Sequence, residues 1–517
     1  MFRITLLLTT LLLLGNCTNA TRSAADRLRP CSSEQGPTDA FCGSLPVWED
    51  RTAARGRRIN LRIVLLPALR RDPKPDPLFI FAGGPGQGAA KLASTIGTLF
   101  RRFQKDRDIV LVDQRGTGGS NPLNCRAPER DADDLSKLGD DPTPLFRDCL
   151  TRYDADPRLY TTSIAMDDID EVRRHLGYGP INLWGASYGT RAALVYLRQY
   201  PDAVRSAVLD GVAPPGMALP LYFPRDGQRA LDLTFAACAR EAACQAAFPD
   251  LRARTEALLE RLAANPKVTV THPRTGHRSE VALSRATAAG ILLGALYSPV
   301  TAALLPRVIA DAAAGSYEGL LGLASANENM GDSISEGMHL SVVCAEDFPR
   351  IQPAEITRAA ANTFLGEELI RNRTKACAFW PAKPAGKEFY QPVVSDKPVL
   401  LLSGELDPVT PPGWAAEVGG HLRNSRQITV PGAGHGVTAL GCVSKLMGQF
   451  LDEGSAANLN PECVKTQHRP PFFVTYSGPG QAASAEGAPR GVPGGAPGGV
   501  PGGAPEGAPE GAPGGLQ

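Results

Sequence analysis

Several absences narrow this sequence before any motif is sought. Its eleven cysteines never fall in a Cys-x-x-Cys pair, so the usual ligand frame of a zinc site is missing. Lys plus Arg (54) almost equals Asp plus Glu (53), and no global field draws the chain to nucleic acid or to an anionic membrane surface. There is no glycine-rich loop of phosphate-cradling type and no basic-aromatic platform, so neither a cofactor nor a nucleic-acid partner is implied. Beyond Leu14 no apolar run is long enough to span a bilayer as a helix. Recognition by this chain should therefore be local, in a pocket of its own making.

What is present begins with an export signal. Arg3 precedes the apolar run Ile4 to Leu14, and small and polar residues follow to Ala20, the pattern of a secretory signal peptide over residues 1–20. Two processing routes are open, cleavage after Thr18-Asn19-Ala20 or lipidation at Cys17. Asn16 stands where a small residue normally precedes a lipidated cysteine, which favours cleavage and a secreted or periplasmic protein. Without Cys17 ten cysteines remain, an even number suited to an oxidising compartment. Neighbours in sequence pair as Cys31 with Cys42, Cys125 with Cys149, Cys238 with Cys244, Cys344 with Cys377, and Cys442 with Cys463, a pairing that spacing suggests but does not fix.

The 517 residues divide by pattern. Residues 42–47 and 58–66 read as antiparallel edge strands, and Leu78 to Phe81 and Asp108 to Val112 as short buried parallel strands. Helices are expected over 89–103 and 163–176, then the strand Pro180 to Ala186, the helix Arg191 to Tyr200 and the strand Ala203 to Leu209. Strands alternating with helices indicate an α/β fold with a mostly parallel sheet. Residues 21–213 form its first part. From 214 to 392 alanine-rich helical segments take over, with one hairpin turning near Thr275-Gly276, and this block reads as a large, mainly helical lid insertion. Residues 393–476 restore strand, helix, strand, helix. From 477 to 517 runs a Gly/Pro/Ala-rich tail that repeats with period four from Glu486 to Pro513 and has almost nothing to bury, so it should be disordered.

The chemistry centres on Gly185-Ala186-Ser187-Tyr188-Gly189. A strand, a Gly-x-Ser-x-Gly turn and an immediate helix make a nucleophile elbow, in which glycines allow close passage and the serine hydroxyl is pushed outward. Such a serine needs a base and an acid. Val399 to Ser403 ends in a turn carrying Asp407, and Ile428 to Val430 ends in a glycine-rich loop carrying His435. The order Ser187, Asp407, His435 is that of α/β-hydrolases. Asp210, at the end of another strand, is the rival acid. The backbone N–H groups of Tyr188 and Gly84 are the expected oxyanion donors, since Pro85 has none.

The chain resembles the α/β-hydrolase peptidase family of proline iminopeptidases and secreted tripeptidyl aminopeptidases, including a TAP-like C-terminal region. The resemblance rests on Gly83-Gly84-Pro85-Gly86-Gln87-Gly88, Asp113-Gln114-Arg115-Gly116-Thr117-Gly118-Gly119-Ser120, the elbow itself, Asp407-Pro408-Val409-Thr410-Pro411 and Cys42-Gly43-Ser44-Leu45. It covers about residues 40 to 455. Ala82 departs from the histidine that commonly precedes the Gly-Gly-Pro-Gly loop in that family. The resemblance implies a serine aminopeptidase taking a peptide with a free N-terminus, whose ammonium Glu346 and Asp347 in the insertion would receive. A carboxylesterase with the same triad is the alternative, and a catalytically idle binding protein a third class. Asp113 and Arg115 are expected to form a buried ion pair beneath the site, and Thr410 either to hydrogen-bond near the acid or, the reading preferred, to cap the next helix.

Overall fold

The computed structural model describes residues 24–33, 36–125 and 141–479. The signal segment with Cys17, and the tail from residue 480, lie outside them. Nine strands form one sheet in the order β1 (Arg29–Ser33), β2 (Gly36–Trp48), β3 (Arg58–Leu66), β5 (Ile109–Val112), β4 (Leu78–Phe81), β6 (Ile181–Ala186), β7 (Val204–Asp210), β10 (Val399–Gly404) and β11 (Ser425–Val430). The first three are antiparallel, and every pairing from β5 to β11 is parallel. The edge strand β1 is an addition to the expected set. Its short polar run Arg29-Pro30-Cys31-Ser32-Ser33 carries no alternation and is held by pairing with β2 and by the Cys31–Cys42 disulfide.

Alternation along the strands sorts side chains to two faces. Leu61, Ile63, Phe79, Phe81 and Leu183 enter one core with the helices α1 (Thr162–Leu176) and α2 (Tyr188–Gln199). Val64, Ile80, Leu111, Val208 and Leu402 enter the other, against Phe100, Phe103 and Phe450. Sheets covered on both sides bury their central strands completely, which is why β4, β5 and β10 read as unbroken apolar runs. The helix expected over 89–103 is divided into Ala90–Leu92, Ala93–Leu99 and Arg101–Gln104, because Phe100 leaves helical geometry.

Between β7 and β10 the chain leaves the sheet. The hairpin of β8 (Lys267–Thr271) and β9 (Arg278–Ala282) and a series of helices there include α3 (Glu336–Glu346). Leu231, Leu259, Leu292 and Ile309 belong to a separate apolar core in this part of the chain. Two disulfides, Cys238–Cys244 and Cys344–Cys377, staple it, and Cys442–Cys463 staples the C-terminal part. The fifth expected pair is not formed: Cys125 and Cys149 are buried free thiols, and Cys125 Sγ lies 2.8 Å from the Tyr153 hydroxyl. Burial raises the Cys125 thiol far above its ordinary value, so it is held protonated.

The expected Asp113–Arg115 ion pair is also replaced. Asp113 instead receives the N–H groups of Ala90 (2.7 Å) and Gly119 (2.8 Å). Arg115 clamps Asp168 of α1 through Nε (2.6 Å) and Nη2 (2.9 Å), and reaches the carbonyls of Glu49 and Leu159. The two stand two positions apart in the turn after β5, and each finds its own partner. Removing one member of a buried pair leaves the other uncompensated. Arg115→Met should therefore lower the unfolding free energy by about 3 kcal/mol, the low end of the range because Arg51 also holds Asp168; urea titration measures it.

Candidate active site

Only Ser187 separates β6 from α2. Its φ of +56° is one an L-residue rarely adopts, a strain of about 1–3 kcal/mol. The surroundings enforce it. A Cβ on Gly185 would lie 2.4 Å from the Gly189 carbonyl oxygen, and one on Gly189 would lie 2.0 Å from that of Phe81, so both positions exclude any side chain. Ser187 N–H donates to the Asp210 carbonyl (2.9 Å), while its own carbonyl accepts from Thr190 N–H (2.9 Å) and Thr190 Oγ1 (2.6 Å). The backbone is fixed, and the half-buried hydroxyl makes no hydrogen bond among the described residues.

Asp407 and His435 meet where the ends of β10 and β11 converge. Asp407 is fully buried, and its Oδ2 lies 2.8 Å from His435 Nδ1. Its Oδ1 accepts from the N–H groups of Val409 (2.9 Å) and Thr410 (2.8 Å). A carboxylate only accepts, so Nδ1 carries the proton and Nε2 is left as the basic nitrogen. Burial acts to raise the Asp407 pKa, but His435 and the donated hydrogen bonds outweigh it and hold it below the ordinary value. For His435 burial acts downward, and the Asp407 carboxylate outweighs it, raising the imidazole above its ordinary 6.5.

Thr410 does not cap the following helix. Its hydroxyl donates to Asp407 Oδ2 (2.8 Å) and lies 3.1 Å from His435 Nδ1, because the turn folds it back over the acid. Asp210, the rival acid, has a different task. It accepts from the N–H groups of Val437 (2.8 Å) and Thr438 (2.8 Å) and from Thr438 Oγ1 (2.7 Å), tethering the loop that carries His435. Tyr297 of the insertion pins the same loop, its carbonyl accepting from His435 N–H at 2.8 Å.

Gly211 joins the two halves. It follows Asp210, whose carbonyl receives the Ser187 N–H, and has φ +70°. A Cβ there would lie 3.0 Å from His435 Cε1 and 3.1 Å from Thr410 Oγ1, so the imidazole occupies the space a side chain would take. Sequence reasoning passed over this residue. Its signal was a glycine directly after a strand-end aspartate, a pattern shared with many ordinary turns.

The loop after β4 reaches the elbow from the other side. A Cβ on Gly83 would sit 3.4 Å from Ser187 Cβ. Gly83 N–H donates to Gln87 Oε1 (3.3 Å), whereas those of Gly84 and Tyr188 donate to no described group. Ala82, in place of the family's histidine, is buried beneath the elbow, its carbonyl 2.9 Å from a Cβ on Gly189.

Glu346 and Asp347 lie at the end of α3 and are 1% and 0% exposed. Asp347 faces Arg191 of α2 with both oxygens at 3.1 Å and accepts Leu219 N–H (2.9 Å). Glu346 accepts from Thr162 N–H (2.7 Å) and Thr162 Oγ1 (2.8 Å). All four oxygens are engaged inside the protein, which leaves them poorly placed to receive a substrate ammonium. Arg191 and Thr162 went unremarked in the sequence; the one clue was an arginine at the head of an apolar helical run.

Residues 76–286, which include Ser187, match the family profile described as alpha/beta hydrolase fold, and residues 362–463, which include Asp407 and His435, match that of TAP-like protein. The chain is similar to the serine protease Hip1 of Mycobacterium tuberculosis, 24% identical over 485 residues that cover 84% of this chain and 90% of that one. It is 25% identical over 476 residues to a tripeptidyl aminopeptidase of Streptomyces coelicolor, covering 83% and 84% of the two chains. A proline iminopeptidase of Aeromonas sobria is 32% identical over 178 residues, 33% of this chain and 36% of that one.

Two changes read out the geometry at His435. Asp407→Asn should lower kcat by about 10⁴ through the wrong tautomer. Because the carboxylate is what raises the imidazole pKa, the acid-side midpoint of any residual activity should lie at a lower pH than in the wild type. Gly211→Ala should keep the fold while displacing the imidazole, with a loss in kcat on the order of 10²; steady-state kinetics with a circular-dichroism control checks it.

Proposed function

The chain belongs to the α/β-hydrolases, as a serine hydrolase with peptidase relatives, and on that premise we propose that it is a secreted enzyme removing short peptides or single residues from free N-termini. The observation that supports the reading most is the 2.8 Å contact between buried Asp407 and His435 Nδ1, which leaves Nε2 basic, in a chain that also carries Ser187 on a strained turn.

In this reading Ser187 Oγ attacks the scissile carbonyl while His435 Nε2 takes its proton. The carbonyl oxygen becomes an oxyanion that Gly84 and Tyr188 N–H groups receive, a term worth about 3 kcal/mol per donor. His435 then passes the proton to the departing amine, the C–N bond breaks, and an acyl-enzyme on Ser187 remains. Water, deprotonated by the same imidazole, attacks that ester and releases the N-terminal fragment and the free serine. Asp407 keeps the tautomer and stabilises the imidazolium throughout.

The exopeptidase element draws on the relatives' names and on the insertion's contacts. Tyr297 grips the His435 loop and Ser335 N–H bonds the Gly86 carbonyl (2.9 Å), so the inserted chain adjoins the site from two directions. A site walled in this way favours chain ends over chain interiors. Export agrees with four disulfides, which persist in oxidising compartments, and among the described residues no helix is long and apolar enough to cross a membrane.

Digestion of a peptide library read by mass spectrometry tests the proposal. Free-N-terminus peptides should lose one to a few residues per step, N-acetylated ones should survive, and Ser187→Ala should abolish both turnover and fluorophosphonate labelling. Internal cleavage, or faster turnover of short-chain nitrophenyl esters than of any peptide, would overturn the aminopeptidase reading in favour of an endopeptidase or a carboxylesterase.

A further inference from the structure

One helix of the insertion reaches the loop of one expected oxyanion donor at its start and, through Thr162, the other donor's side chain at its end. At the N-terminal end of α3, Ser335 N–H holds the Gly86 carbonyl, Ile334 would lie 3.2 Å from a Cβ on Gly84, and His339 Nδ1 stands 3.3 Å from the Pro85 carbonyl. At the other end Glu346 holds Thr162, whose Oγ1 lies 2.7 Å from the Tyr188 hydroxyl. We propose that α3 is the brace on which both donors are seated, with Glu346 the positioning residue that fixes Tyr188 through Thr162. This rests on the reading that Gly84 and Tyr188 receive the oxyanion.

The hydrogen bonds have a direction. An ionised Glu346 can only accept, so Thr162 Oγ1 donates to it and the Tyr188 hydroxyl must donate to Thr162. The order is lost when Glu346 gains a proton, because the carboxyl then becomes a donor itself. Burial pushes the Glu346 pKa up to about 7 against the opposing pull of Arg191, with Asp347 adding to the rise. Tyr188 also faces this carboxylate, Tyr390 lies close to it, and Arg350 sits beside Asp347. A cavity of 560 Å³ opens onto Glu346, with Arg158, Arg198, Lys383 and Glu388 in its wall, and gives solvent protons a way in. The brace therefore tightens as pH rises through neutrality and loosens below it.

The test uses Glu346→Gln, Tyr188→Phe and their combination, assayed on a free-N-terminus peptide and a short ester. Each single variant should lower kcat about tenfold on both substrates, the size of one charge-assisted hydrogen bond, with KM nearly unchanged. The double variant should be no worse than either, since both cut the same chain. In Glu346→Gln the acid limb of the kcat profile should lose one ionisation and keep that of His435. Thr162→Ser, which retains the hydroxyl, should match the wild type where Thr162→Val does not. A rise in KM confined to the free-amine peptide would overturn the brace in favour of an ammonium clamp. Wild-type kcat in Glu346→Gln, or multiplicative losses in the double variant, would also overturn it. Loss of activity in Ser187→Ala alongside such results leaves the peptidase reading standing, whereas activity surviving in Ser187→Ala removes that reading itself.

Discussion

Burying one carboxylate against one imidazole is the constraint to which the rest of the site answers. A fully enclosed Asp407 is costly unless every lone pair is met, and Val409, Thr410 and His435 meet them. Val409 and Thr410 belong to its own turn, whereas His435 comes from the loop after β11. The imidazole is held against it by Asp210 and the Tyr297 carbonyl, which tether its loop, and by the room that Gly211 leaves for the ring. The rivalry between two strand-end aspartates ends in a division of labour, with one touching the imidazole and the other holding its loop.

Charge inside the protein is spent on geometry more than on stability. Arg115 binds α1 to the turn after β5, and Arg191 binds α2 to the end of α3. Buried ion pairs seldom add much net stability, yet they exclude alternative packings, since a misplaced helix would leave a charge unpaired. Arg191 lies on the helix that starts directly after Ser187, where small displacements matter most.

The sheet was largely legible because its strands are short, apolar and bounded by glycine or charge, and the pattern gave its order of strands and helices and the place of the hairpin. The elbow, Asp407 and His435 were readable for the same reason: each sits at a strand end whose sequence marks it. What escaped were facts of pairing. Strand β1 has no alternation of its own, Asp113 and Arg115 are neighbours that turn to different partners, and Cys125 and Cys149 are near in sequence yet unbonded. Glu346 and Asp347 suggested a surface for an ammonium because sequence shows charge and not burial. Their true neighbours, Thr162 and Arg191, lie more than a hundred positions away.

Strands β7 and β10 lie side by side, although the whole insertion is translated between them. During synthesis Ser187, its strained turn and the strands around it emerge while Asp407 and His435 are still unmade. A growing chain therefore holds the strained turn without the buried Asp407–His435 pair. The last quarter of the polypeptide adds β10 and β11 beside β7 and brings the Asp407–His435 pair with them, so a chain that stops short of these strands keeps the turn and lacks the pair.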